Sequence, residues 1–149
     1  GFGRSGYPAI SMSAQAAESF CAWLSSRTGK TYEIPTIKQW NEANTLGGGA
    51  WHKWNANKTT HPIATTSPNA IGLHDMRGNV GEWVSTEDGP RVIGGSFRTP
   101  AEELGEKSLL EANREWNVTD PQLPRSPWWF ADADYVGLRL VTTTGDSNE

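Results

Sequence analysis

Apolar side chains recur at three- and four-residue spacing over residues 11–27, through Ala16, Ala17, Phe20, Trp23 and Leu24, and this rhythm predicts a first helix with one apolar face. Ser11 or Ser13 can cap its start, Ala14 and Ala22 add helix propensity, and Thr28-Gly29 supplies the stop. Residues 30–35 read as a short extended piece, because the residue before Pro35 is pushed towards β or polyproline geometry. Thr36 and Gln39 form a capping box for a second helix with Ile37, Trp40 and Ala43 on one side, and Leu46-Gly47-Gly48-Gly49 breaks it. From residue 50 to 95 the helical period is lost among Asn, Pro and Gly, which predicts irregular chain with short strands. A stretch that long in a small domain calls for a functional or metal-bound reason. Arg91-Val92-Ile93-Gly94-Gly95-Ser96-Phe97 is a strand candidate, and Tyr135-Val136-Gly137-Leu138-Arg139-Leu140-Val141 alternates as a terminal strand. The polar, Pro-rich stretch between them reads as loops, and 142–149 as a frayed polar tail.

Composition narrows the class. A chain of 149 residues fits one domain, here 1–141 ahead of the tail. Lys and Arg number 13 against 17 Asp and Glu, so the basic stripe that phosphate backbones demand is missing and nucleic acid is not an expected partner. Sixteen Gly and nine Pro describe a loop-rich globule, and eight Trp set it apart from disordered chains. No apolar run approaches the ~18–20 residues that cross a bilayer, so membrane insertion is not expected. The opening Gly1-Phe2-Gly3-Arg4 carries neither an initiator Met nor a basic-then-apolar leader, as expected of a processed product or a piece of a longer protein. Cys21 is the single cysteine; it reads as a small buried hydrophobe of the first helix and cannot by itself form an intrachain disulfide or a four-cysteine zinc site.

The tryptophans divide by context. Trp23, Trp40 and Trp83 sit in apolar patterns and are expected in the core. Trp51, Trp54, Trp116, Trp128 and Trp129 lie in polar, loop-like surroundings, where a ring can stack on a saccharide or anchor a protein partner. The alternative for Trp128-Trp129, beside Phe130, is that a domain poor in strands packs its loops with indoles. Arg98, Arg114 and Arg125 could receive anionic groups bidentately, although isolated arginines are more often solvated or paired.

Four local patterns fall in order: Tyr32-Glu33-Ile34-Pro35-Thr36-Ile37-Lys38-Gln39-Trp40-Asn41-Glu42-Ala43, then Pro68-Asn69-Ala70-Ile71-Gly72-Leu73-His74-Asp75-Met76-Arg77-Gly78-Asn79-Val80-Gly81-Glu82-Trp83, then Arg91 to Phe97, then Gly137-Leu138-Arg139-Leu140-Val141. Together they resemble the formylglycine-generating enzyme family, also called sulfatase-modifying factors, over residues 9–141. The resemblance implies a C-type-lectin-like α+β fold with little regular secondary structure, two helices in the N-terminal third and short strands. On this resemblance the family's usual N-terminal segment is expected to be missing. In the oxidising members, the resemblance implies, Gly-Gly-Ser-aromatic is followed two and seven residues on by cysteines that bind copper. Those positions are Thr99 and Leu104, which offer no thiolate for Cu(I), so no copper is expected. His52, His61 and His74 lack the spacing of the helical iron site of the related sulfoxide synthases.

The resemblance also implies a structural Ca²⁺ site at Asp75, Gly78, Val80 and Glu82, where two side chains and two backbone carbonyls would converge. Ca²⁺ wants six to eight oxygens, and Gly78 and Gly81 would let carbonyls turn inward. The alternative is that Asp75 caps a turn and Glu82 pairs with an arginine such as Arg139. The leading expectation is a non-catalytic, calcium-stabilised binding or structural module, secreted or in the cell envelope. Its cleft would lie near 94–99 and 113–129, with Arg98, Asn113, Arg125, Trp128 and Trp129 meeting a peptide or saccharide ligand or another protein chain. The rivals are an oxidoreductase-like enzyme of unrecorded chemistry in that cleft, with Glu102, Glu103 and Glu111 as candidates, and a fragment that completes its fold with another chain.

Overall fold

A computed structural model describes residues 4–143 of the chain. Ser13 rather than Ser11 starts the first helix: its hydroxyl accepts the Ala16 N–H at 3.1 Å. Helix α1 runs Ala14–Thr28 and stops at Gly29, which is left-handed at φ 71°. It buries the small residues Ala17 and Cys21, not the aromatic row expected from its periodicity. Six residues at 3.6 per turn put Trp23 about 120° around the helix from Ala17, so Trp23 is exposed and stacks on Phe20 at 5.6 Å. The assignment of Trp23 to the core is thereby corrected. Close approach of the helix to the sheet requires alanine and cysteine at the contact.

Helix α2, Ile37–Ala43, carries the full capping box, with Thr36 accepting the Gln39 N–H and the Gln39 side chain accepting the Thr36 N–H. It turns Trp40 fully inward. Strand β1, Thr31–Glu33, pairs antiparallel with the last strand of the chain, Val141–Thr143. Thr142 and Thr143 therefore belong to a strand and not to the predicted tail, whose remainder, 144–149, lies outside the described residues.

The main sheet has four strands: β2 (Gly81–Thr86), β3 (Gly89–Gly94), β4 (Gly105–Leu110) and β5 (Val136–Gly137), in the order β4-β3-β2-β5, with the closing Val141–Thr143 strand as β6. β2 pairs antiparallel with β3 and parallel with β5. The predicted terminal strand is thus two short strands separated by 138–140, and the predicted strand at 91–97 ends at Gly94. β4 was expected to be loop. It is an edge strand with most side chains in solvent, so no period-two apolar pattern marks it, and Lys107 on it is the kind of charge that protects such edges.

Two apolar clusters flank the sheet. One gathers Ala17, Trp83, Val92, Trp116, Ala133 and Val136; the other gathers Trp40, Met76, Val84 and Ile93. Trp116, expected on a loop surface, is buried among the rings of Trp83, Phe130 and Tyr135 at 5.7–6.1 Å. Its short 3₁₀ turn, Arg114–Asn117, looks polar in sequence because only one of its faces is packed.

Between α2 and β2 the backbone is irregular, and asparagines do the work of secondary structure. Asn69 donates to the Ala43 carbonyl at 2.8 Å and accepts the N–H groups of Ile71 and Leu73. Asn79, left-handed at φ 57°, clamps His61 with its amide, donates its N–H to the Trp51 carbonyl at 2.8 Å and accepts the Phe97 N–H at 2.9 Å. Gly78 beside it admits no side chain, since a Cβ would lie 2.2 Å from the Trp51 carbonyl oxygen.

Candidate functional site

β3 ends at the left-handed Gly94, Gly95 beyond it is left-handed too, and the chain then folds into a tight turn. The Ser96 N–H donates to Thr99 Oγ1 at 3.0 Å, the Thr99 N–H to the Ser96 carbonyl at 3.0 Å, and the Arg98 N–H to Ser96 Oγ at 3.1 Å. Ser96 and Phe97 are buried, so the turn presents the Arg98 side chain outward. A Cβ on Gly95 would meet Leu104 Cδ2 at 2.6 Å and Thr99 Cγ2 at 3.1 Å. The methyl groups of Thr99 and Leu104 therefore close over one point, bringing together the two positions singled out in the sequence.

A cleft of about 400 Å³ opens there, lined by Ser96, Arg98, Thr99, Glu103, Ser108 and Tyr135 among others. Arg98 reaches Asp134 at 2.6 Å and lies over the rings of Phe97 and Tyr135, at 5.4 and 5.1 Å from their centres. Burial pushes the Tyr135 phenol up, against the pull of Arg98. Of the three candidate carboxylates only Glu103 lines the cleft; Glu111 pairs with Arg91 at 3.8 Å, and Glu102 lies outside the lining.

The other predicted ligand residues lie elsewhere. Asn113 caps the 3₁₀ turn by accepting the Glu115 N–H, and Arg125 donates to the Val118 carbonyl at 3.2 Å. Trp128 and Trp129 are half-exposed beside the start of α1, where the Trp128 carbonyl accepts the Ser13 N–H and Trp129 bridges to Met12. Arg98 is in the cleft and these four are not among its lining residues. Tyr135 and Ser108 were missed; Tyr135 was legible as a ring heading a strand next to Asp134, whereas Ser108 sits on the unmarked edge strand.

A second cavity, about 470 Å³, is lined by His74, Asp75, Asn79, Glu82, Leu138 and Arg139 among others. Glu82 is buried, with Oε1 accepting from Arg139 Nη2 at 2.8 Å and Oε2 accepting from Arg139 Nε and from Trp40 Nε1, both at 2.9 Å. Burial pushes the Glu82 carboxyl above its ordinary value, against the charge and hydrogen bonds of Arg139 and the Trp40 indole. Burial would lower Arg139, but the adjacent carboxylate more than offsets this and keeps the guanidinium charged. Arg139 Nη2 also donates to the His74 carbonyl at 2.8 Å. Asp75, left-handed at φ 55°, accepts the Ala64 N–H at 2.8 Å and the Thr66 hydroxyl at 3.3 Å.

Asp75 and Glu82 thus have the partners of the alternative reading, a turn and an arginine. With a guanidinium on the Glu82 carboxylate, the set Asp75, Gly78, Val80 and Glu82 does not fit the all-oxygen shell of Ca²⁺ as arranged. Among the described residues no three His, Cys, Asp or Glu side chains gather to hold a metal ion. His61 Nε2 contacts the Ala56 carbonyl and His74 Nδ1 that of Thr66, while His52 Nδ1 accepts the Trp54 N–H. Among these residues, too, no helix is long and apolar enough to cross a membrane.

A family model described as the sulfatase-modifying factor enzyme 1-like domain matches residues 41–143. No curated protein matches the sequence. PvdO from Pseudomonas aeruginosa has a similar structure, with TM-score 0.68 at 19% identity over 97% of this chain and 70% of that one. CarF is similar with TM-score 0.64 at 19% identity over 91% of this chain and 67% of that one. Treponema denticola variable protein 1 is similar with TM-score 0.54 at 20% identity over 74% of this chain and 47% of that one. At such identities the likeness is one of fold.

Proposed function

The chain belongs to the sulfatase-modifying factor enzyme 1-like family, and on that premise we propose that it is a binding or structural module that has the family's scaffold without cysteine-oxidising chemistry. The observation that supports this reading is the packing over Gly95, where the methyl groups of Thr99 and Leu104, at the positions where the resemblance implies copper-binding cysteines, close over one point. A hydroxyl and an isobutyl group cannot supply the soft thiolate donors that hold Cu(I). Cys21 is buried in α1, and burial pushes its thiol up, so it is a poor source of thiolate. What the cleft retains is recognition chemistry: a guanidinium oriented by Asp134 and two rings, beside a carboxylate, a phenol and hydroxyls. Arg98, set in this way, suits a planar anionic group on a ligand.

The test is mass spectrometry of a cysteine-containing sulfatase-type peptide incubated with the chain and copper. The peptide is expected to be recovered unmodified. Conversion of its cysteine to formylglycine would overturn the reading.

A further inference from the structure

Next to the cleft, and sharing Arg98 with it, lies a cavity of about 550 Å³ lined by Lys53, Trp54, Lys58, Phe97 and Arg98. We propose that this cavity is a binding site for an oligosaccharide carrying sulfate or carboxylate groups. The lining consists of three cations, the exposed indole of Trp54 and the buried Phe97, in a chain whose net charge is −4. Neither lysine has an ion-pair partner among the described residues, and Arg98 alone is matched, by Asp134 at 2.6 Å. Lys53 Nζ stands 4.7 Å from the centre of the Trp54 ring, yet the residue is still 65% exposed, which leaves indole surface bare in the middle of the charge. An exposed ring with an unpaired ammonium beside it can stack on an apolar ligand face while the cation holds an anionic group next to it.

The chemistry of the lining selects the ligand class. Its polar side-chain groups are all hydrogen-bond donors; Lys and Arg have no acceptor, and the Trp N–H has none either. A peptide brings one N–H per residue for which these side chains have no acceptor. A sulfated or uronate sugar brings acceptor oxygens with every ring, together with C–H faces for the indole. The cations are also spread over separate segments, Lys53 and Lys58 on one loop and Arg98 on the turn after β3, which matches charges repeated along a chain better than a single anion. The loop is rigidly mounted: the Lys53 N–H donates to the Thr99 carbonyl at 3.0 Å, and Asn57 and Lys58 are both left-handed, at φ 52° and 59°, which aims Lys58 away from the regular path of the chain.

The proposal rests on the binding-module reading, but the two fail separately, since peptide oxidation and sugar binding are read by different assays. The experiment titrates the 149-residue chain with a sulfated uronate hexasaccharide, following tryptophan fluorescence at about 50 and about 200 mM salt. Neutral maltohexaose, hexaglutamate and hexathymidylate are run alongside. The expected result is saturable, salt-weakened binding of the sulfated sugar, about tenfold tighter than any comparator. Binding should weaken about tenfold or more in Trp54→Ala and in Lys53→Ala/Lys58→Ala, and stay unchanged in Lys30→Ala, which removes an exposed charge elsewhere. If Trp54→Ala alters the circular dichroism spectrum, Lys58→Glu replaces it and must abolish binding. No binding, equal binding of hexaglutamate or hexathymidylate, or indifference to both the Trp54 and the lysine substitutions would overturn the proposal.

Discussion

The molecule contains two arginine–carboxylate pairs of the same chemistry in opposite settings. Arg139 and Glu82 have side chains 25% and 6% exposed and share three hydrogen bonds between them; Arg98 and Asp134 are 52% and 28% exposed and meet at a single contact. In the first pair every carboxylate oxygen is used, with Trp40 completing the set, so the pair can only hold α2, β2 and the 138–140 segment together. In the second, the guanidinium lies between rings at the edge of two cavities and keeps unoccupied donors. Burial and saturation, not residue type, separate a structural ion pair from one free to meet a ligand.

The largest difference is expected when one carboxylate is removed from each pair. Glu82→Ala leaves Arg139 charged and buried and is expected to cost ~3–5 kcal/mol in urea unfolding, whereas Asp134→Ala should cost about 1 kcal/mol or less. Equal losses would erase the distinction.

A second contrast sharpens it among the indoles. Trp116→Ala empties the cluster between Trp83, Phe130 and Tyr135 and should cost ~3–5 kcal/mol, while Trp128→Ala, at a half-exposed ring, should cost about 1 kcal/mol, both read by thermal melts.

Gly95→Ala tests the turn that presents Arg98. The left-handed backbone contributes about 1–2 kcal/mol of loss, and the overlap with Leu104 adds to it. Leu104→Ala in the same chain should recover the second part and not the first, as measured by denaturant midpoints.

The smallest effect expected is on acidification of the 113–134 loop. Backbone N–H groups of Gln122 and Ser126 hold Asp120 below its ordinary value, and the Thr119 hydroxyl and N–H do the same for Asp132. A lowered folded value means the contribution is fully present above the ordinary Asp value of about 4 and is lost as pH falls through the lowered one. Amide exchange in residues 119–126 should therefore rise below about pH 4 relative to the sheet. Uniform exchange across both regions would show that the loop has no separate acid response.

Much of this was legible. The capping box at Thr36 and Gln39, the stop at Gly29 and the burial of Trp40 follow from local rules that tertiary structure did not override. The family pattern brought the α+β architecture. What stayed hidden depends on contacts distant in sequence. Trp116 reads as polar because its neighbours Arg114, Glu115 and Asn117 are, and only the return of Phe130 and Tyr135 buries it. β4 has no buried face to impose a period. Glu82 could face a metal or an arginine, and the arginine it meets, Arg139, lies 57 residues away in the sequence.

The bond from the Lys53 N–H to the Thr99 carbonyl, together with the bonds from Asn79 to Trp51 and from Phe97 to Asn79, ties the Trp54 loop to the turn that carries Arg98. The two cavities therefore share a wall at Arg98, and these three bonds join the loops on its two sides. A ligand that settles over Trp54 would stiffen the mouth of the neighbouring cleft without touching Tyr135 or Glu103. Occupancy of one chamber would in this way become a mechanical input to its neighbour, transmitted through three backbone amides.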